Sequence, residues 1–239
     1  MPEGNELLKH QALILGKTLS YFRLDKWISN KVIREWTEAL VFALVVATIV
    51  RTFLFAPFKI PSGSMYPTIN IGDHIFATMF SYGAPIPFTD IKLFPQPIER
   101  GDIVIFPYPR DPSIDYIKRV VALAGETVQI IEDQIYINGT ALKEPYAYYD
   151  PQKQHMIEQF KLTAGENMPP INNFGPVTVP AGHIFTLGDN RYNSADGRYW
   201  GFVDIKTVKG QGQLVYWSHD PEAGLFGGYR LERLFQRLK

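Results

Sequence analysis

The chain has 239 residues, with 24 Lys and Arg against 24 Asp and Glu, so neither net charge nor a basic cluster draws it to nucleic acid. It has no cysteine, which excludes a thiol nucleophile, a thiolate metal site and a disulfide framework together. With 46% hydrophobic residues it can bury one good core, and 18 prolines with 19 glycines predict many short strands separated by turns.

Residues 1–36, with "KVIREWTEAL" (31–40) running on into the next segment, read as helical and carry no chemistry. From Ala39 to Val50 the run "ALVFALVVATIV" is free of charge but too short to cross a bilayer. Adding "RTFLFAPF" carries it to Phe58, interrupted only by Arg51, which can snorkel. Such a run also reads as a buried core helix or a cleaved leader. A leader fits badly, because 38 residues precede it and no small-x-small site follows. An uncleaved anchor over 37–58 is therefore expected. Arg23, Lys26, Lys31 and Arg34 on its N-terminal flank place 1–36 in the cytoplasm and everything from 59 on the outer face.

The outer part reads as β-structure. "GDHIFATMF" (72–80) and "GDIVIFPY" (101–108) each open with Gly-Asp and run into β-prone residues. "YIKRVVALAGETVQIIEDQIYINGTAL" gives successive strands, with "AGE" and "EDQ" as turns and a hairpin signal at Asn138-Gly139. "TVPAGHIFTLGDN" and "KGQGQLVYWS" add two more strands. The stretch at about 140–175 is irregular and reads as an insertion. The expectation is one antiparallel sheet domain of many short strands.

Three short blocks hold the candidate chemistry. In "FKIPSGSMYPT", prolines on both sides stiffen a turn around Ser62 and Ser64, and the turn lies just beyond the apolar run. A hydroxyl fixed there needs a base. The five histidines form no triad pattern and no HExxH is present, which leaves lysine. A lysine is protonated at neutral pH unless it is desolvated. In "DYIKRVVAL", read as a strand, Tyr116, Lys118, Val120 and Ala122 share a face, so Lys118 has an apolar neighbour on either side. Taken alone, that nonapeptide equally describes a solvated surface lysine. The third block, "LGDNRYNSADGRYWGF" (187–202), has the look of a calcium loop. EF-hand spacing fails there, since Arg191 takes a ligand position and Ser194 stands where glycine is required. A salt-bridged surface turn remains open.

Together, "PFKIPSGSMYPT", "RGDIVIF", "DYIKRVVALAGE" and "LGDNRYNSADGRYWGFV", in this order after an apolar segment, resemble bacterial type I signal peptidases over roughly residues 36–217. The resemblance implies a mostly β catalytic domain, with a small insertion, preceded by a transmembrane helix. It implies a membrane-bound serine endopeptidase that cuts signal peptides from exported preproteins after Ala-x-Ala-like sites. Ser64 matches the nucleophile and Lys118 the general base. Ser62 matches the residue whose hydroxyl joins the Ser64 N–H in the oxyanion hole. Ser194 matches the serine that orients the lysine, with Asp196 and Arg198 shaping its loop. Phe58, Ile60, Met65, Tyr116 and Ile117 fall where such enzymes build small apolar substrate pockets. Tyr192 and Gly197 depart from the commonest residues, Asp and Ser. No metal and no cofactor is implied; the partners are preproteins and the lipid bilayer of the bacterial cytoplasmic membrane. Two rivals stand beside this. A self-cleaving repressor would need a DNA-binding domain in place of the anchor, and an inactive membrane-anchored β domain would lack a dyad member.

Overall fold

The computed structural model describes residues 31–49, 55–85, 92–93, 96–153, 172–224 and 227–238. The chain divides into two compact units, 1–52 and 53–239. In the first, helix α1 spans Lys31–Ile49. Lys31 and Glu35 pair along its surface one turn apart, and Trp36, Leu40 and Leu44 are exposed. No helix among the described residues is long and apolar enough to cross a membrane. The expected anchor over 37–58 coincides with α1 only as far as Ile49, and residues 50–54 lie outside the described residues. Its last residues need correction. Phe55–Lys59 form strand β1, paired antiparallel with β2 (Asp73–Thr78) in the second unit. Aromatic "FAPFK" satisfies either setting, and the backbone partners offered by β2 decide for the sheet.

The second unit is antiparallel β-structure throughout its named strands. After β2 come β3 (Ala84–Pro85), β4 (Lys92–Leu93), β5 (Ile103–Tyr108), β6 (Asp111–Ala122), β7 (Thr127–Ile131), β8 (Gln134–Ile137), β9 (Thr140–Ala141), β10 (Phe174–Thr178) and β11 (His183–Leu187). A single-turn helix α2 (Gly197–Trp200), β12 (Val203–Asp204) and β13 (Gly210–Ser218) follow. The larger sheet runs β1-β2-β13-β5-β6-β11-β12, and β10-β7-β8-β9 form a smaller one. The two ends of the expected insertion belong to that smaller sheet, because β9 pairs with β8 and β10 with β7. Residues 154–171 lie outside the described residues.

The predicted turns form for the expected steric reason. Asn138 (φ 50°) and Gly139 (φ 78°) take left-handed conformations, as a tight hairpin requires. One apolar cluster under the smaller sheet holds Val121, Val128, Ile135, Phe185 and Leu187. A second, made by Ile69, Ile75, Ile103, Ile105 and Val215, sits beneath the serine loop. Burial at this density fixes the sheet register, since a slip of one residue would turn each apolar set outward.

Candidate active site

The serine loop connects β1 to β2 and is held at both ends. Ile60 N–H donates to Asp73 O (2.9 Å) and Gly72 N–H to Ile60 O (3.0 Å). Within it, Ile69 N–H bonds Met65 O (2.9 Å). Ser64 is therefore carried on a closed turn, 8% exposed. Lys118, on β6 opposite Val104 of β5, is 3% exposed and projects into the same space. Its Nζ lies 2.9 Å from Ser64 Oγ and 2.8 Å from Ile117 O. Val120, two residues on, is fully buried, as the alternation predicts, and Nζ lies 5.2 Å from the Tyr116 ring centre.

Burial lowers the Lys118 pKa to about 8, against the opposing pull of the Asp196 and Asp189 carboxylates. Relative to an ordinary lysine, that shift costs about 3 kcal/mol while the group is charged in both states. The sign follows from linkage. The unfolded chain binds the extra proton between about pH 8 and 10.5, so the penalty is full below pH 8 and fades as pH rises through that window. Catalysis needs the neutral amine, so kcat/KM is expected to rise with pH and reach half its plateau near pH 8. A limb centred near pH 10.5 would show that the amine is not desolvated in solution.

The third block closes over this pair. β11 ends at Leu187, opposite Arg119, so the following Gly188-Asp189 turn meets the lysine strand. Arg119 and Asp189, each about 1% exposed on the side chain, form a two-pronged pair at 2.8 and 2.7 Å. Asp189 also accepts from Thr68 Oγ1 at 2.6 Å, and Arg119 Nη1 reaches Gly101 O at 2.8 Å. One buried carboxylate thus links the serine loop, the lysine strand and the third block. Arg119 follows Lys118 on β6, and its buried partner 70 residues away was not legible in the sequence.

Gly188 must be glycine, because an added Cβ would stand 2.5 Å from Ser64 O and 2.2 Å from Ser194 Oγ. Its N–H bonds Asp196 Oδ2 (3.1 Å). Asp196 also caps α2 through Arg198 N–H and takes Arg198 Nε and Nη2 at 2.9 and 2.8 Å. Arg198 Nη2 reaches back to Arg191 O (2.6 Å). The loop-shaping positions expected for Asp196 and Arg198 have their bonding partners here. Gly197 packs where a Cβ would lie 2.7 Å from Phe185, and the Tyr192 hydroxyl bonds Asp133, so both departures from the common residues are accommodated.

Three expected site residues behave differently. Ser194 makes no bond to Lys118; its hydroxyl donates to Ala195 O at 3.3 Å, while the lysine takes Ile117 O as its second partner. Met65 and Ile60 are 0% and 4% exposed within the apolar cluster, so they support a binding surface from beneath without lining it. Phe58 and Ile117 pack against the same cluster and keep partial exposure, as does Tyr116 against a neighbouring one. Ser62 is exposed beside Ser64, and among the described residues neither its hydroxyl nor the Ser64 N–H donates to another protein atom.

Several residues that hold the site had no signal of their own. Asn190 N–H bonds Ser64 O (3.0 Å) and Asn190 Nδ2 bonds Gly63 O (3.1 Å). Arg233, near the C-terminus, grips Asp73 at 2.6 and 3.0 Å and donates to Thr68 O at 3.0 Å. Arg191 pairs with Glu144 (2.6 Å), inside the stretch read as an insertion.

A buried hydroxyl against a desolvated amine, on an antiparallel β scaffold, is the arrangement that a serine hydrolase with a lysine base requires. The family described as signal peptidase, peptidase S26, matches residues 33–217, and the chain belongs to it. Signal peptidase I of Pseudomonas aeruginosa is 38% identical, over 82% of this chain and 76% of that one. The Pseudomonas fluorescens protein of the same name is 39% identical over 84% and 78%. Signal peptidase I S of Bacillus subtilis is 34% identical over 79% and 91%.

Proposed function

We propose that this chain is a serine endopeptidase that removes signal peptides from exported preproteins, with Ser64 as nucleophile and Lys118 as general base. The observation that carries the assignment of roles is the 2.9 Å contact between Ser64 Oγ and an amine whose pKa is lowered to about 8. Neutral Lys118 takes the Ser64 proton as Oγ bonds to the scissile carbonyl carbon. The carbonyl electron pair moves onto oxygen, which the Ser64 N–H and the Ser62 hydroxyl receive. Collapse breaks the C–N bond, and Lys118 passes its proton to the departing amine. Water, deprotonated by the same lysine, then cleaves the acyl-enzyme and restores Ser64. The chemistry calls for no metal and no cofactor.

Partly exposed Phe58 and Ile117 over a buried apolar floor, with Tyr116 packed against a neighbouring apolar cluster, suit small side chains before the cut, consistent with small-x-small sites. The uncharged run that begins at Ala39 within α1, exposed at Leu40, Phe42 and Leu44 and following the basic residues of 23–34, supports an anchor in the bacterial cytoplasmic membrane with the N-terminus inside. A module that only binds exported chains has no use for a desolvated lysine against a serine.

The test is incubation of detergent-solubilised protein with a purified preprotein, followed by N-terminal sequencing of the product. Cleavage after a small-x-small site is expected, and an intact preprotein would sink the reading. Ser62→Ala is expected to lower kcat by about 10²–10³ with KM little changed. An unchanged rate would remove Ser62 from the oxyanion hole.

A further inference from the structure

Against the serine loop, lined by its Gly63, Tyr66, Asn70 and Ile71, lies a cleft of about 400 Å³. It shares no lining residue with the expected signal-side set of Phe58, Ile60, Met65, Tyr116 and Ile117. Gly63 and Tyr66, which bracket Ser64 and Met65, form one wall. Tyr148 packs edge-on against Tyr66 (4.9 Å between ring centres) and extends it. Asn190 also lines the cleft; it is 5% exposed, and its Oδ1 is buried with no partner among the described residues. The charged lining is Asp150, Asp220, Glu222 and Arg230. Arg230 is held by Asp220 at 2.8 Å, whereas Asp150 and Glu222 have no ion-pair partner among the described residues. The lining therefore carries three carboxylates against one guanidinium, and with the Lys153 ammonium bonded to Asn193 at its rim the cleft stays net negative.

We propose that this cleft receives the first residues after the scissile bond and selects basic over acidic side chains there. The proposal rests on the cleavage reading above. A peptide crossing Ser64 must leave its acyl half on one flank and its amine half on the other. The acyl half has the apolar floor, and the cleft is what the opposite flank offers. Negative potential there favours a cationic leaving segment and opposes a carboxylate-bearing one.

The test uses three peptides identical up to the cut, with Lys, Gln or Glu in the two positions beyond it, and the full chain as enzyme. At low salt the Lys peptide is expected to exceed the Glu peptide in kcat/KM by about tenfold, narrowing as salt rises from about 0.05 to about 0.5 M. In the Asp150→Asn/Glu222→Gln double variant the Lys-to-Glu ratio falls towards one; Glu222→Gln alone gives an intermediate ratio. A wild-type ratio of one or less, or a ratio the variants leave unchanged, overturns the cleft assignment while cleavage itself stands. Failure to cut any of the three peptides defeats the cleavage reading and this proposal with it.

Discussion

Ser64→Ala and Lys118→Ala are each expected to reduce precursor processing by about 10⁴-fold or more, and the double variant to be no worse than either single one. Non-additivity is the signature of two groups acting as a unit. The serine is a poor nucleophile without a base 2.9 Å away, and the lysine has no proton to take once Oγ is gone. Lys118→Arg is expected to be as inactive as the alanine variant, since a guanidinium stays protonated at working pH. Single-turnover cleavage of a preprotein resolves these losses. Processing by Lys118→Ala at near wild-type rate, or losses that multiply in the double variant, would break the dyad assignment.

Asp189→Ala is expected to destabilise the second unit by about 3–5 kcal/mol, because it removes the carboxylate that neutralises the Arg119 guanidinium where its side chain is 1% exposed. The same change removes the acceptor of Thr68 Oγ1 and so loosens the serine loop. The control is Asp115→Ala, which breaks the pair with Lys209 where the side chains are 30% and 41% exposed, and which is expected to cost under about 1 kcal/mol. Urea unfolding followed by tryptophan fluorescence gives both values. Equal, small losses would mean that Arg119 finds another partner or water, and that the buried carboxylate does not tie the site together.

Much of the scaffold was readable along the chain because its determinants are local. Asn138-Gly139 turns the chain wherever it occurs, since left-handed backbone suits those residues. "GDHIFAT" and "GDIVIFPY" open on a Gly-Asp turn and run into β-branched and aromatic residues, and the structure has strands there. The lysine was marked by its neighbours, two apolar positions at strand spacing. The strand Phe55–Lys59 was misread because an apolar, aromatic segment suits a bilayer as well as a sheet, and only its partner tells the two apart. Glu144 was equally opaque. An acidic residue in an irregular stretch has many possible cations, and the one it meets, Arg191, lies 47 positions away.

Composition and short-range pattern were enough to settle that this chain has no thiol chemistry, that its second unit is built of short antiparallel strands, and that Ser64 sits in a stiffened turn. Those properties depend on steric preferences and residue types that act over a few positions. Folding alone could set Lys118 Nζ against Ser64 Oγ, 54 residues apart, and withdraw that amine from water. It likewise chose Asp189 for Arg119, Asp73 for Arg233 and Ala195 O for Ser194. Distances between side chains and the dielectric around them arise when remote strands pack, and no stretch of sequence carries them in advance.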